Sequence, residues 1–313
     1  MTHPAPVAGA AAMAAGIVSV SCHLAGAEGL SLVLLVIAVV LWAVLAAAMC
    51  HEFADDRARW LADARTPASL TGVAATAVIG ARLSLLGRQP AAVALLALAT
   101  LAWVVLLPDV VRHLGRRAPG AAYLTCVSTQ SLAVLGATVA LALRVTWPLW
   151  PALFLFVFGL ALYVRVLRDF DFRQLWTGIG DQWVACGAIS SSALAAAKLT
   201  AASGPPASWA AFLYPSLRAC TLVLLLIASL WYVVLAVCEL CRPRLAYHTA
   251  RWATVFPLGM TAAAFLTTGT VTSLDWIREA GRYLLWISVA GWVAVALGAV
   301  CHGVRSRRRG PTS

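Results

Sequence analysis

Cys238 and Cys241, in the stretch CELCRP, stand at the spacing with which two thiolates fill half of a tetrahedral zinc site. No second pair or His cluster completes the set, so the two read as a plain helix end, and neither a metal nor a cofactor is expected. The eight cysteines lie mostly in or beside apolar segments at no framework spacing, which argues against disulfides. A different chemistry is offered by hydroxyls and one amide set in apolar surroundings: Ser128, Thr129, Gln130, Ser190, Ser191, Ser192, Thr261, Thr267 and Thr268. These groups can contact a passing polar solute, with no carboxylate and no buried basic cluster beside them near mid-depth. The stretch RWATVFPLGMTAAAF, residues 251–265, places Phe256 directly before Pro257 in an otherwise helical apolar run. In hydrocarbon a carbonyl freed by proline has no water to turn to, so such a residue belongs where other helices or a wet cavity take up the exposed groups.

The elements that carry these residues are membrane spans. Of the 313 residues 62% are hydrophobic and 11% charged, and the mean hydropathy is +0.88, outside the range of soluble domains. About 20 apolar residues cross a bilayer core. Ten such stretches are predicted: 6–22, 30–50, 68–86, 91–110, 121–143, 148–166, 182–199, 213–238, 248–270 and 282–301. No basic residue precedes the first, which reads as a span and not as a cleaved signal. Residues 1–303 form one transmembrane domain in this reading, and 304–313, with RSRRRGPTS, a basic cytoplasmic tail held to anionic lipid.

Arg57, Arg59 and Arg65, then Arg112, Arg116 and Arg117, Arg165, Arg168 and Arg173, Arg242, Arg244 and Arg251, and Arg305, Arg307, Arg308 and Arg309 fall on one side, sixteen of the 23 basic residues. That bias predicts a multi-pass protein of the inner (plasma) membrane with both termini cytoplasmic. Even spans are bulky, as in LVLLVIAVVLWAVL, whereas odd spans are rich in Gly, Ala, Ser and Thr, as in ACGAISSSALAAA. Lipid accepts the first kind, and small residues permit close helix approach. The predicted fold is therefore an all-α integral membrane protein of five helical hairpins, with the odd helices forming an inner ring around a central pore. The alternative is that small residues serve only tight packing in a solid bundle. Gly16, Ser128, Gln130, Ser190, Ser191, Met260 and Thr261 are the expected lumen lining. Three odd spans end in a cation, Arg82, Arg144 and Lys198, which form an anion-attracting mouth if they converge or snorkel to headgroups if they do not.

The ninth stretch, RWATVFPLGMTAAA, resembles the Trp-x-x-x-Phe-Pro signature of the tellurite-resistance/dicarboxylate transporter family, which includes the plant slow-type anion channels, bacterial tellurite-resistance proteins and fungal malate and sulfite transporters. PVAGAAAMAAGIVSVS and GIGDQWVACGAISSSALA are similar to its first and seventh spans, and the ten-span plan covers essentially the whole chain. The first-span motif has alanines where many members have Gly and Thr. The resemblance implies a homotrimer, each protomer with its own pore, in which Phe256 is the obstructing ring and Pro257 the kinking residue. It implies transport of small inorganic or organic anions: chloride, nitrate, sulfite, tellurite or a dicarboxylate.

Intramembrane carboxylates are absent from the odd spans, which favours passive conduction over proton coupling. A proton-coupled C4-dicarboxylate (malate) carrier is the alternative within transport. A membrane-embedded enzyme is the alternative outside it, because Asp55, Asp56 and Asp63 in HEFADDRARWLAD are similar to the metal-binding aspartates of membrane prenyltransferases. The second motif those enzymes need is missing, since RDFDFRQ is interleaved with Arg168 and Arg173, so no enzyme activity is expected. Membrane lipid is an expected partner and nucleic acid is not.

Overall fold

A computed structural model describes residues 4–308 except 116–117, 206–207 and 244–246. The side chains of 4–7, 59 and 303–308 are also outside the description. Arg59, Arg116, Arg117, Arg244, Arg305, Arg307, Arg308 and Arg309, with the 304–313 tail, therefore lie outside the described residues or side chains.

Among the described residues nine helices are long and apolar enough to cross a membrane, and a shorter apolar helix at Ala8–Leu24 belongs to the helix Pro4–Leu24. In chain order the ten spans are Pro4–Leu24, Glu28–Asp55, Leu70–Leu85, Gln89–His113, Leu124–Leu143, Leu149–Asp169, Val184–Ser203, Tyr214–Cys241, Trp252–Thr272 and Asp275–Arg308. The tenth begins at Asp275, ahead of the expected 282, because its charged first turns hide it from an apolar reading. There Arg278 pairs with Asp275 at 2.9 Å and Arg282 with Glu279 at 2.6 Å, each at i,i+3.

Burial separates the two kinds of helix. The apolar windows of the third, fifth, seventh and ninth spans are 72%, 83%, 89% and 83% buried, against 11–39% for the even spans. The first span is buried from Ala11 to Cys22. First packs on third, third on fifth, fifth on seventh, seventh on ninth and ninth on first, which closes an inner ring of five helices. The even spans carry most of the exposed Val, Leu, Phe and Trp that hydrocarbon accepts.

Each hairpin turns back through a left-handed residue: Gly26, Gly87, Arg144, the pair Ser208 and Ala210, and Ser273. A recurring latch joins successive hairpins. Trp42 Nε1 of the second span donates to Thr76 Oγ1 of the third at 2.8 Å, and Trp103 Nε1 of the fourth to Thr129 Oγ1 of the fifth at 2.9 Å. The four segments that lead into the third, fifth, seventh and ninth spans bring most of the described arginines to one end, called here the basic end.

Candidate functional site: an axial lumen

The inner helices meet at a small axial cavity of about 20 Å³ to which all five contribute. Its wall is Ile17 and Val20 of the first span, Ala77, Val78 and Ala81 of the third, Ser131 and Val134 of the fifth, Leu194 of the seventh and Met260 of the ninth. Residues four apart on a helix share a face, so Phe256 lies in the register of Met260, one turn toward the basic end. Gly187 stands in the register of Leu194, two turns toward the same end.

These two meet. Phe256 is fully buried, and a Cβ on Gly187 would lie 2.8 Å from Phe256 Cε1 and 3.0 Å from both Phe256 Cδ1 and Pro257 Cγ. The absence of a side chain at 187 is what lets the ring and the proline approach the seventh helix. Pro257 lies inside the ninth helix and supplies no N–H. Its carbonyl accepts from Thr261 Oγ1 at 2.8 Å.

The expected lumen lining divides. Met260 lines the cavity. Ser128 shares the face of Ser131 and donates to the Thr125 carbonyl at 3.2 Å, and Ser191 shares the face of Leu194 and donates to the Ala188 carbonyl at 2.8 Å. Three others make their contacts in the seams between helices. Gln130 turns outward, and its Nε2 donates to the Phe156 carbonyl of the sixth span at 3.0 Å in a seam kept open by Gly159. Ser190 Oγ and Thr261 Oγ1 lie 2.9 Å apart, where Cys186 Sγ also reaches the Ala228 carbonyl of the eighth span at 3.7 Å. In each case a seam supplies a partner for a buried donor, while Gln130 Oε1 is left without one. A Cβ on Gly16 would lie 3.0 Å from Val78 Cγ1 and 3.8 Å from Ala38 Cβ, so the glycine sets the approach of the first span to the second and third.

The three cations have three different environments. Arg82 is fully buried; Nε donates to Ser31 Oγ at 2.8 Å and Nη2 pairs with Glu28 at the head of the second span. Glu28 in turn meets His23 Nδ1 at 2.6 Å. Arg144 is exposed in the left-handed turn after the fifth helix and borders a cleft of about 560 Å³ with Thr146, Leu149, Ala202 and Trp209. Lys198 follows Leu194 by one turn on the luminal register and has no ion pair among the described residues. All three stand at the end opposite the basic one; Arg82 follows the luminal Val78 by four residues but is held by Ser31 and Glu28 of the second span, whereas Lys198 shares the lumen's register without an ion pair among the described residues.

Ser131 and Gly187 were not singled out by sequence. Each sits in a run of similar small residues, STQSLAV and ACGAISSS, in which no signal marks the inward position. Cys238 is buried and Cys241 exposed, both as free thiols at the end of the eighth span, and no group of three or more metal-ligating side chains occurs among the described residues. Asp55 ends the second span and pairs with His51 at 2.8 Å.

Ten helices folded as five hairpins around a closed inner ring define a multi-pass membrane protein with an axial lumen. The chain matches the voltage-dependent anion channel family, SLAC1, over residues 3–300, and it belongs to that family. This is the family that the ninth-span motif resembles. No curated protein matches the chain. Its family is one of anion channels and transporters, and the chain is a member of that class.

Proposed function

We propose that the protein is a passive anion channel, or channel-like exporter, in which Phe256 obstructs the lumen and Pro257 shapes the ninth helix to hold it there. The observation that carries this reading is the placement of the Phe256 ring in the luminal register, against Gly187 and directly below a cavity shared by all five inner helices. A phenyl ring offers a permeating anion no hydrogen bond, so its barrier is steric and dielectric together. No carboxylate occurs in the five inner helices to relay a proton. The cargo is a small inorganic or organic anion, with chloride, nitrate, sulfite, tellurite and dicarboxylates as the panel to test. The protein works as a homotrimer in the inner (plasma) membrane with both termini cytoplasmic, an orientation supported by the arginines at the basic end.

Purified protein in liposomes tests this with the anion panel under imposed potentials. A channel follows the electrochemical gradient. Saturable, pH-dependent flux at fixed stoichiometry would instead establish a proton-coupled dicarboxylate carrier. Phe256→Ala is expected to raise anion conductance by about an order of magnitude or more, and Phe256→Leu by less. Lost stability without added current would show that the ring only packs, since truncating a buried Phe costs about 3–5 kcal/mol.

A further inference from the structure

We infer that the axial cavity is a single-ion station for a monoatomic halide, with the Ser131 hydroxyl as its hydrogen-bond donor. The inference rests on the channel reading above and names the occupant of the lumen next to the proposed gate.

Ser131 is 3% exposed, and its Oγ makes no hydrogen bond among the described residues although it borders the cavity. Thr267 and Thr268 of the ninth span also lack a partner, but neither borders the cavity. Ser191, Ser192, Thr138 and Ser203 of the inner helices all turn back to donate to a carbonyl of their own helix, at 2.7–2.9 Å. A buried hydroxyl without a partner is costly, so the cavity's occupant must supply the acceptor. The rest of the wall is apolar: Ile17, Val20, Val78, Val134, Leu194 and Met260.

Size and charge then select the occupant. A cavity needs roughly 10–15 Å³ to hold one water-sized particle, and this one has about 20 Å³. Chloride is a single sphere somewhat larger than water and needs only a small yield of the wall, whereas nitrate, sulfite and dicarboxylates are polyatomic and need more. Lys198 stands one helical turn beyond Leu194, roughly 6 Å along the axis, and its charge favours an anion over a cation at that depth. No carboxylate in the inner helices opposes it. The ion therefore waits between Lys198 on one side and the Phe256 ring on the other, partly stripped of water and held by one hydroxyl.

The test uses the full chain with Phe256→Ala as background, so that current is measurable, and compares it with the same chain carrying Ser131→Ala. Loss of one hydrogen bond to a charged group predicts a fall of about ten-fold in the chloride-to-nitrate permeability ratio, read from reversal potentials. Bromide soaked into crystals of the unmutated protein is expected to give anomalous density in the cavity, and to lose it on Ser131→Ala. An unchanged permeability ratio with normal currents, or a cavity that holds water alone in bromide, overturns the station and leaves the channel reading intact. Absence of current from Phe256→Ala with every anion overturns the channel reading, and the bromide density then still decides whether the cavity binds a halide.

Discussion

Replacing Gly187 with alanine tests the contact on which the gate proposal depends. The new Cβ would lie 2.8 Å from Phe256 Cε1 and 3.0 Å from Pro257 Cγ. Carbon atoms pack best at about 3.5–4.0 Å, so the ring has to retreat by roughly 0.7 Å or more, and the proline can yield only if the ninth helix backs away. Overpacking of this kind costs about 1–3 kcal/mol. Phe256→Ala alone creates a void and costs about 3–5 kcal/mol. In the double variant the Cβ enters the space left by the ring, so the two losses do not add, and a coupling of about 1 kcal/mol or more is expected where independent sites agree within about 0.5 kcal/mol. Thermal unfolding in detergent gives the stability cycle, and liposome anion current gives a parallel functional one. The Gly187→Ala effect on current should vanish when Phe256 is already alanine. Additive stabilities, or a current effect that persists undiminished without the ring, would refute the claim that residue 187 acts through Phe256.

Glu28→Gln should destabilise the protein, by about 1–3 kcal/mol given that Glu28 is 44% exposed, because it leaves the buried Arg82 guanidinium with Ser31 alone; Arg82→Met added to it should recover part of the loss in the same unfolding assay. Neutralising Lys198 and Arg144 together should lower anion conductance most at low ionic strength, where the screening length exceeds its value of about 10 Å at 0.1 M salt, while Arg82 contributes little because Glu28 already balances it. An equal loss at all salt concentrations would count against an electrostatic role for that mouth. In a background without the eight native cysteines, a label at Arg173 should react only from the cytoplasm and one at Trp147 only from outside, and the reverse pattern would invert the proposed orientation.

How much of this was legible in the sequence follows from which physical force sets each feature. Hydrocarbon thickness dictates span length, and lipid tolerates bulky side chains, so ten spans and their alternation between inner and outer helices could be read from residue types alone. The Phe-Pro element was legible too, because a proline in a span has few tolerable places and a family signature surrounds it. The inward face of each inner helix was not. These helices are small and apolar on every side, and a serine or threonine can satisfy itself on its own helix, so a hydroxyl carries no direction. Only packing shows that Gln130 answers the Phe156 carbonyl, that Ser190 and Thr261 close a seam, and that Ser131 alone of its neighbours opens into the cavity without a partner. Arg82 makes the same point for charge: its sequence position suggested a mouth, but the carboxylate of Glu28, 54 residues away, draws it into the protein. A buried charge takes the nearest partner in space, and that partner is decided by the tertiary structure.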